Sequence, residues 1–339
     1  MKSIVITRPG VLEIQQRNIP LPAAGEVRVK TKYAGVCGSD VHIFHGSNPF
    51  ARYPRVIGHE FFGVIDRLGP GVMPDRAGQH VVIDPVVSCG QCYPCSIGRP
   101  NVCLSLQVIG VHRDGGFSEY VCVPAANAHA VPDAIPAHQA ALVEPFSIAA
   151  NITAQLKPVF GDVALVYGAG PMGLAVIQVL KAVYDVSHIV ATDRVTSRLK
   201  RAIDSGADIA LNNPLDNVQE YFSGHGRAPT LIVDAACHPA ILQQAIELAS
   251  PAGRIGIMGF SDEACMIRQK DITSKELSIF SSRLNSARFP LVIEWMNSGK
   301  LNPDTLITHR LSLDEVGEAL HLFESEPSVC CKILLEFPD

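Results

Sequence analysis

The sequence has 339 residues, of which 47% are apolar and 18% are charged. This composition is typical of a folded globular protein and excludes a disordered or collagen-like chain, and at about 150 residues per domain the length predicts two domains. The formal net charge is −5 and no stretch concentrates Lys and Arg, so nucleic acid is not expected as a partner.

The N-terminal residues Met1–Gly10 alternate apolar and polar side chains, as a β-strand does. They lack the apolar stretch of about 7–15 residues found in secretory signals, and no window of the chain reaches the roughly 18–20 apolar residues of a membrane span. We therefore expect a cytoplasmic protein without a membrane partner. In a reducing compartment, a tight group among the ten cysteines indicates a metal site more often than disulfides.

The first part of the chain, up to about Pro145, is rich in Gly, Pro, Val and short alternating runs such as Glu26–Lys30, which predicts a β-rich lobe. From about Phe146 to Ser282, apolar strands alternate with helical patterns, which predicts a parallel sheet built from crossover units. The six strands expected there are Val163–Tyr167, Ile189–Thr192, Ile209–Leu211, Leu231–Ala235, Arg254–Met258 and Leu277–Phe280, with helices such as Pro171–Tyr184 and Ile241–Ala249 between them.

The residues after Asn285 predict two helices and a closing strand, at Pro290–Ser298, Leu313–Phe323 and Cys331–Phe337. These elements are too few to stand alone, so we expect them to pack on the first lobe. The predicted α/β protein then has residues 1–146 and 285–339 in a β-rich domain and residues 147–284 in a dinucleotide-binding domain. The last strands of the parallel sheet can leave an edge exposed, which predicts a homodimer or homotetramer.

A glycine string, Gly168–Gly173, joins the first strand of the parallel sheet to the helix that follows it. In a dinucleotide-binding turn, Gly168 permits the tight bend, Gly170 the approach of a pyrophosphate and Gly173 the packing of helix on strand. The N-terminus of the helix offers unpaired N–H groups to the phosphates. Asp193, twenty positions after Gly173, can accept both hydroxyls of the adenosine ribose and repels a 2′-phosphate. The motif therefore predicts NAD rather than NADP.

Two arginines after Asp193 leave this preference open, because an arginine at this place can also bind a 2′-phosphate. Arg198 can instead lie along the adenine face or be a solvated helix residue. The candidate cofactor contacts are Gly168, Gly170, Pro171, Met172, Gly173, Asp193, Arg194 and Arg198.

Four cysteines fall within fifteen residues, at intervals of two, two and seven: Cys89, Cys92, Cys95 and Cys103. A loop with this spacing can wrap a tetrahedral ion, and four thiolates leave no open position for a substrate. We therefore predict a structural zinc in a lobe of about residues 86–105. An iron–sulfur cluster and disulfides are the alternatives.

A second set of potential ligands is dispersed along the first lobe. It consists of Cys37, at the start of the string that ends with His42, and of His59-Glu60 after Gly58. Taken singly, such residues are more often core residues than ligands. Their occurrence together with a nicotinamide motif and a closed zinc loop favours a catalytic metal.

Together, these motifs make essentially the whole chain resemble the zinc-dependent medium-chain alcohol/polyol dehydrogenase family. The segments Pro54–Phe62, Asp84–Gly90, Gly115–Tyr120 and Ser278–Asn285 are most similar to its bacterial starvation-sensing and sugar-acid branch. The resemblance implies a GroES-like β-rich catalytic domain and a Rossmann domain with a doubly wound parallel six-stranded sheet, in agreement with the predicted partition.

The resemblance also implies a catalytic zinc whose third protein ligand comes from just before the cofactor domain, and this ligand is a cysteine in the alcohol-oxidising branch. The present chain has no cysteine between Cys122 and Cys237. Glu144 fills the matching position, as in the polyol branch. The alternative interpretation of Glu144 is an acidic residue that begins a helix before Pro145.

The implied ligand set is thus Cys37, His59 and Glu144, with water or a substrate oxygen completing it, and the chain would bind two zinc ions in all. Glu60 is a candidate alternate ligand. Asp40 is the expected hydrogen-bond acceptor for the second ring nitrogen of His59.

Ser39 and His42 match the proton relay of the family. The zinc would lower the pKa of the substrate hydroxyl, and the proton would pass through Ser39 and the cofactor ribose to His42. His42 could instead be a loop histidine that only caps backbone carbonyls.

The substrate contacts follow least clearly from the sequence. Ile43 stands where sorbitol-type relatives carry an aromatic residue, so polyol specificity cannot simply be transferred. Polar side chains near the expected pocket suit a polyhydroxylated substrate with a carboxylate, which arginine binds in bidentate fashion. The candidates are Asn48, Phe117 and Arg283, with Arg52, His112 and Arg113 nearby.

These observations favour an NAD- and zinc-dependent oxidoreductase that oxidises a secondary hydroxyl of a sugar acid or polyol to a ketone. One alternative is a dehydrogenase for another small secondary alcohol or amino alcohol, of the threonine or butanediol type. Another is an NAD-binding regulatory protein without turnover. A zinc-free enone or quinone reductase is disfavoured, because that class would lack the cysteine loop and Gly58-His59-Glu60.

Overall fold

The computed structural model describes residues 1–213 and 215–338, which form two compact units. Unit 1 comprises Met1–Glu144, Phe289–Asn297 and residues 307–338, and unit 2 comprises Pro145–Arg288 and Ser298–Leu306. Within the predicted range 285–339, Ser298–Leu306 is thus grouped with unit 2, and Asp339 lies outside the described residues.

Unit 1 is rich in β-structure. Its strands are β1 (Lys2–Arg8), β2 (Val11–Gln16), β3 (Glu26–Val36), β4 (Arg55–Val56), β5 (Glu60–Leu68), β6 (His80–Ile83), β7 (Val86–Val87), β8 (Gln107–Val108), β9 (Tyr120–Pro124), β10 (Ala128–Ala130), β17 (Ile307–Ser312) and β18 (Lys332–Glu336). Its helices are α1 (Gly38–His45), α2 (Tyr93–Ser96), α3 (Ala137–Ala140), α10 (Phe289–Asn297) and α11 (Val316–Ser325). A further helix, α4 (Val143–Leu156), begins at the division between the units.

The largest sheet of unit 1 has seven strands, in the order β10-β6-β5-β3-β18-β17, with β9 also paired to β3. Alternate residues of β3, such as Val27 and Val29, are fully buried, as the period of two predicts. The C-terminal strand β18 pairs antiparallel with β3, so that Ile333 lies opposite Val36. This pairing brings the end of the chain next to the segment that precedes Cys37.

Unit 2 contains a parallel six-stranded sheet and its crossover helices, which confirms the predicted doubly wound fold. The strands are β11 (Val163–Tyr167), β12 (His188–Asp193), β13 (Ile209–Asn212), β14 (Leu231–Asp234), β15 (Arg254–Ile257) and β16 (Ser278–Ser281). The helices are α5 (Pro171–Gln178), α6 (Thr196–Asp204), α7 (Val218–His225), α8 (Pro239–Leu248) and α9 (Gln269–Thr273). The predicted helix Pro171–Tyr184 is observed as α5 followed by a π-helical turn, Val179–Val183.

The strand order is β13-β12-β11-β14-β15-β16, with every neighbouring pair parallel. The chain direction across the sheet therefore reverses between β11 and β14. In open α/β sheets, ligands bind at the carboxyl ends of the strands at such a switch point. None of the helices in the described residues is both long and apolar enough to cross a membrane.

Candidate active site

The first potential metal ligand, Cys37, lies where β3 ends and α1 begins, and it is the N-cap residue of α1. The fully buried carboxylate of Asp40 accepts hydrogen bonds from the N–H of Cys37 (3.0 Å) and from the N–H of Gly58 (3.2 Å). The first of these bonds closes a capping box. Asp40 therefore joins the segment that carries Cys37 to the segment that carries His59.

The thiol of Cys37, the imidazole of His59 and the carboxylate of Glu60 come together, with ligand atoms within 4.8 Å of one another. The Nδ1 atom of His59 is buried, lies 3.6 Å from Asp40 Oδ1 and has no hydrogen-bond partner among the described residues. The Nε2 atom lies 3.4 Å from Ser39 Oγ. A thiol, an incompletely hydrogen-bonded buried imidazole and a carboxylate form a donor set that fits zinc.

Glu144 lies at the start of α4 and is also buried, with 5% of its surface exposed. Burial is the main cause that raises the pKa of its carboxyl to about 8, and the charge of His59 opposes this rise. Glu60, and not Glu144, meets the 4.8 Å limit with Cys37 and His59. The structure therefore brings two buried carboxyl groups to the cluster, and the sequence-based choice of Glu144 as the third ligand stays a prediction.

Lys332, on β18, is a member of this cluster that the sequence analysis did not identify. Its Nζ binds both carboxylate oxygens of Glu60 at 2.8 Å, and the two side chains are only 2% and 1% exposed. Burial alone would lower the pKa of Lys332, but the charges of Glu60 and Cys37 outweigh burial and raise it. The available signal was a lysine at the start of an otherwise apolar strand, Lys332–Leu335, since a buried lysine needs a charged partner.

The loop of residues 109–117 packs against the backbone around His59. Three consecutive N–H groups, from Gly115 to Phe117, donate to the carbonyls of residues 56–58 at 2.8–3.0 Å. A Cβ atom on Gly110 would lie 2.6 Å from the carbonyl oxygen of Gly58 and 3.1 Å from the nitrogen of His59. Glycine is therefore required where this loop lies against the backbone of Gly58 and His59.

Ser39 and His42 lie three residues apart on α1 and hence on one side of the helix. The hydroxyl of Ser39 lies beside His59. The side chain of His42 is exposed, and its Nδ1 lies 3.0 Å from Ser47 Oγ. Helix α1 thus carries the hydroxyl of Ser39 next to the potential metal ligands and the imidazole of His42 in contact with solvent.

The sequence-predicted substrate residues occupy different environments. Asn48 is half-buried, and its Oδ1 accepts a hydrogen bond from the N–H of Phe50 at 2.9 Å. Arg283 belongs to unit 2, where its guanidinium lies 6.0 Å from the ring centre of Phe260. Phe117 is fully buried against Gly58. Because Phe117 exposes no surface to a substrate, we correct its interpretation to that of a residue supporting the loop behind His59.

The four-cysteine lobe forms a second cluster, in which all four sulfurs lie within 4.8 Å of one another. The Sγ atoms of Cys92 and Cys95 are 3.4 Å apart and those of Cys89 and Cys103 are 3.5 Å apart. A disulfide needs about 2.05 Å, so the thiols are free. Backbone N–H groups of Leu104 and Cys95 lower the pKa of Cys92 to about 6, which favours the thiolate that binds metal.

In unit 2, the glycine string forms the turn between β11 and α5. Gly168 has a φ of +90°, and a Cβ atom there would lie 2.9–3.0 Å from the backbone of residues 235–236 after β14. A Cβ atom on Gly173 would collide with the carbonyl oxygen of Gly168. Gly170 is the N-cap of α5 and Pro171 its first residue, so the N–H groups of the first helical turn face the switch point.

Asp193 ends β12 and is tied to the same turn. Its carboxylate accepts hydrogen bonds from the N–H of Ala169 at 2.7 Å and of Val195 at 2.8 Å. The Nη1 atom of Arg198 lies 3.6 Å from the place where a Cβ atom of Gly170 would stand, whereas Arg194 is exposed. Asp193 and Arg198 therefore border the predicted pyrophosphate turn.

Comparison with known proteins agrees with this architecture. The family model "Alcohol dehydrogenase GroES-like domain" matches residues 23–133, and the model "Zinc-binding dehydrogenase" matches residues 171–298. The starvation-sensing protein RspB of Escherichia coli K12 is 57% identical over 339 residues, which are 100% of both chains. The chain belongs to the zinc-dependent medium-chain alcohol dehydrogenase family.

Two further similarities define the branch of this dehydrogenase. L-galactonate-5-dehydrogenase of E. coli K12 is 34% identical over 325 residues, 94% of each chain. A crystal structure of an alcohol dehydrogenase (rspB) from E. coli CFT073, complexed with NADH, has a TM-score of 0.97 and 57% identity and covers 99% of each chain. The protein is thus a zinc- and NAD(P)-dependent oxidoreductase acting on CH–OH groups, and the predicted family, fold and cofactors are confirmed.

Proposed function

We propose that this dehydrogenase oxidises a secondary hydroxyl of a sugar acid or polyol to a ketone, with NAD as the hydride acceptor. The observation that carries the proposal is the cluster in unit 1 formed by half-buried Cys37 and by buried His59, Glu60 and Glu144. Cys37, His59 and Glu144 would hold the catalytic zinc, which when bound supplies a Lewis acid that lowers the pKa of the substrate hydroxyl. Similarity to L-galactonate-5-dehydrogenase supports a sugar acid as substrate.

The proton of the substrate hydroxyl needs a way out, and α1 offers one. Ser39 would accept the proton next to the cluster and pass it through the cofactor ribose to His42, which lies three residues further, is exposed and would release it to solvent. Ser47 Oγ, 3.0 Å from His42 Nδ1, holds the imidazole in place during this transfer.

The cofactor preference would be set by Asp193. NAD supplies the hydride acceptor, the first turn of α5 binds the pyrophosphate, and the carboxylate of Asp193 accepts the ribose hydroxyls and repels a 2′-phosphate. Arg198 lies beside Gly170, where it can contact the cofactor without selecting NADP.

The assembly and the compartment are part of the proposal. Among the described residues, β16 is an edge strand of the parallel sheet and pairs with β15 alone, and pairing of this edge with a second copy would give a homodimer or homotetramer. Four free thiols gathered in one lobe require a reducing environment to bind metal, which supports a cytoplasmic location.

A substrate screen tests the proposed reaction. Zinc-loaded protein is mixed with NAD and with aldonates, uronates or polyols, and NADH formation is followed by absorbance; L-threonine and 2,3-butanediol serve as comparison substrates. We expect the highest kcat/KM with a member of the first group. A higher kcat/KM with threonine or butanediol would contradict the substrate class, and a Cys37→Ala variant controls for contaminating dehydrogenases.

A further inference from the structure

Lys332 makes the most extensively buried ion pair of the cluster in unit 1. Besides the two bonds to Glu60, its Nζ donates to the carbonyl oxygen of Val36 at 3.1 Å. An ammonium group has three N–H donors, and all three therefore have acceptors. The bond joins residues that are 272 positions apart in sequence.

The carboxylate of Glu60 occupies a space that its neighbours shape closely. Gly35 lies directly opposite Glu60 in the β3–β5 pair and opposite Leu334 in the β3–β18 pair. A Cβ atom on Gly35 would collide with the Oε2 atom of Glu60. Gly35 therefore leaves the space that the carboxylate of Glu60 occupies, and the ammonium of Lys332 binds the carboxylate there.

Both Glu60 and Glu144 could therefore supply the third ligand of a zinc ion bound by Cys37 and His59. A catalytic zinc site keeps three protein ligands and one open position for substrate, so only one of the two acids can be a ligand. Resting on the proposed function, we propose that Lys332 is a positioning residue that holds Glu60 away from the metal and leaves Glu144 as the third ligand.

Removing Lys332 should allow Glu60 to bind the metal in addition to Cys37, His59 and Glu144. A buried carboxylate without a counter-charge is strongly disfavoured, and the nearest cation available to Glu60 would be the metal itself. With Glu60 bound, the metal has four protein ligands and no open position. The metal should then bind more tightly, while turnover is lost.

The test compares Lys332→Met, Glu60→Gln, Glu144→Gln and the double variant Lys332→Met/Glu60→Gln after cobalt(II) substitution. The visible spectrum reports the ligands of the metal, and competition with a chelator gives its affinity. We expect Glu60→Gln to keep the wild-type spectrum and Glu144→Gln to lose affinity about 10–100-fold. Lys332→Met should alter the spectrum, raise metal affinity about tenfold and lower kcat about 10–100-fold.

Control variants distinguish the positioning role of Lys332 from a general effect on protein stability. Lys275→Met removes another lysine whose Nζ makes three bonds, here to the carbonyls of residues 246, 247 and 249, and it should leave spectrum and kcat unchanged. The double variant removes both charges of the pair and should return the spectrum to the wild-type form, which keeps the test valid if Lys332→Met alone folds poorly.

Two results would overturn the proposal: a Glu60→Gln spectrum that changes as that of Glu144→Gln does, or a folded Lys332→Met protein with wild-type spectrum and affinity. A different result would show that the proposed function itself is wrong. In that case Cys37→Ala and His59→Ala would retain the metal content of the wild type, whatever Lys332 does.

Discussion

Asp40 shows how one side chain can position two potential metal ligands. Its carboxylate accepts from the N–H of Cys37 and from the N–H of Gly58, and it lies 3.6 Å from His59 Nδ1. The charge of Asp40 outweighs the effect of burial and raises the pKa of His59 well above its usual value. The raised pKa values of His59 and Glu144 favour the protonated forms of both groups in the metal-free protein.

Metal binding should consequently release these protons. Because burial raises the pKa of Glu144 to about 8, its carboxyl is protonated below that pH, and a metal that binds the carboxylate must displace the proton. Metal affinity should rise with pH up to and beyond about 8. Titration calorimetry in buffers of different ionisation enthalpy counts the protons, and Glu144→Gln should release about one fewer. An unchanged proton count in this variant would show that Glu144 is not the ligand.

In the proposed site, the preference for NAD over NADP depends on Asp193. Replacing it by alanine removes the acceptor for the ribose hydroxyls and the charge that repels a 2′-phosphate. We expect Asp193→Ala to weaken NAD binding about tenfold or more, at about 1.5–3 kcal/mol per lost charged hydrogen bond, and to reduce the discrimination against NADP. Fluorescence titration with NADH and NADPH measures both. Asp204→Ala, an exposed carboxylate on α6, is the control, and an unaltered preference would show that another residue selects the cofactor.

At the scale of elements, the position of the candidate ligand His59 depends on a loop that follows the four-cysteine lobe. β8 pairs with β7 at the base of that lobe, and the chain then continues into residues 109–117, which pack on the backbone of residues 56–59. The position of His59 is thus set by backbone contacts between segments about fifty residues apart, and not by the adjoining strand β5 alone.

Gly110→Ala tests this dependence. Gly110 has a φ of +86°, and its close approach to Gly58 and His59 leaves no room for a Cβ atom. Gly71 has a φ of +82°, but nothing lies within 4 Å of the place where its Cβ atom would stand, so Gly71→Ala should cost only the about 1–2 kcal/mol of a left-handed alanine. Gly110→Ala should lose more stability and also bind the catalytic metal more weakly. Thermal unfolding and metal analysis measure these effects, and equal behaviour of the two variants would contradict the proposed contact.

At the scale of the whole molecule, the two candidate metal sites should differ in how readily a chelator removes their ions. Metal analysis of the purified protein should find about two ions per chain, one for each cluster. A chelator should remove the ion at Cys37 and His59 first, because that site has an open position, whereas four thiolates close the shell of the other. Loss of the first ion should abolish turnover and leave NADH binding intact. A content below about one ion per chain would contradict the site assignment.

Much of this architecture follows from local sequence patterns. The six parallel strands lie within one or two residues of their predicted positions, for example β11 at Val163–Tyr167 and β14 at Leu231–Asp234. The glycine turn, Asp193 at the end of β12 and the four-cysteine loop are each defined by short spacings. Such motifs can be recognised in the sequence because residues close in sequence determine a strand, a turn or a chelating loop.

Other features exist only because distant segments meet. Lys332 and Glu60, 272 residues apart, face each other because β3 pairs both with β18, which carries Lys332, and with β5, which carries Glu60. Phe117 is buried because its loop returns to Gly58. Which of two acids lies nearer to Cys37 and His59 is likewise a matter of packing. Sequence by itself determined the fold family, the cofactors and most candidate ligands, since local chemistry encodes them. Only the tertiary structure decided the partners of buried charges, because burial and long-range pairing determine whether a lysine or a carboxylate remains available to bind.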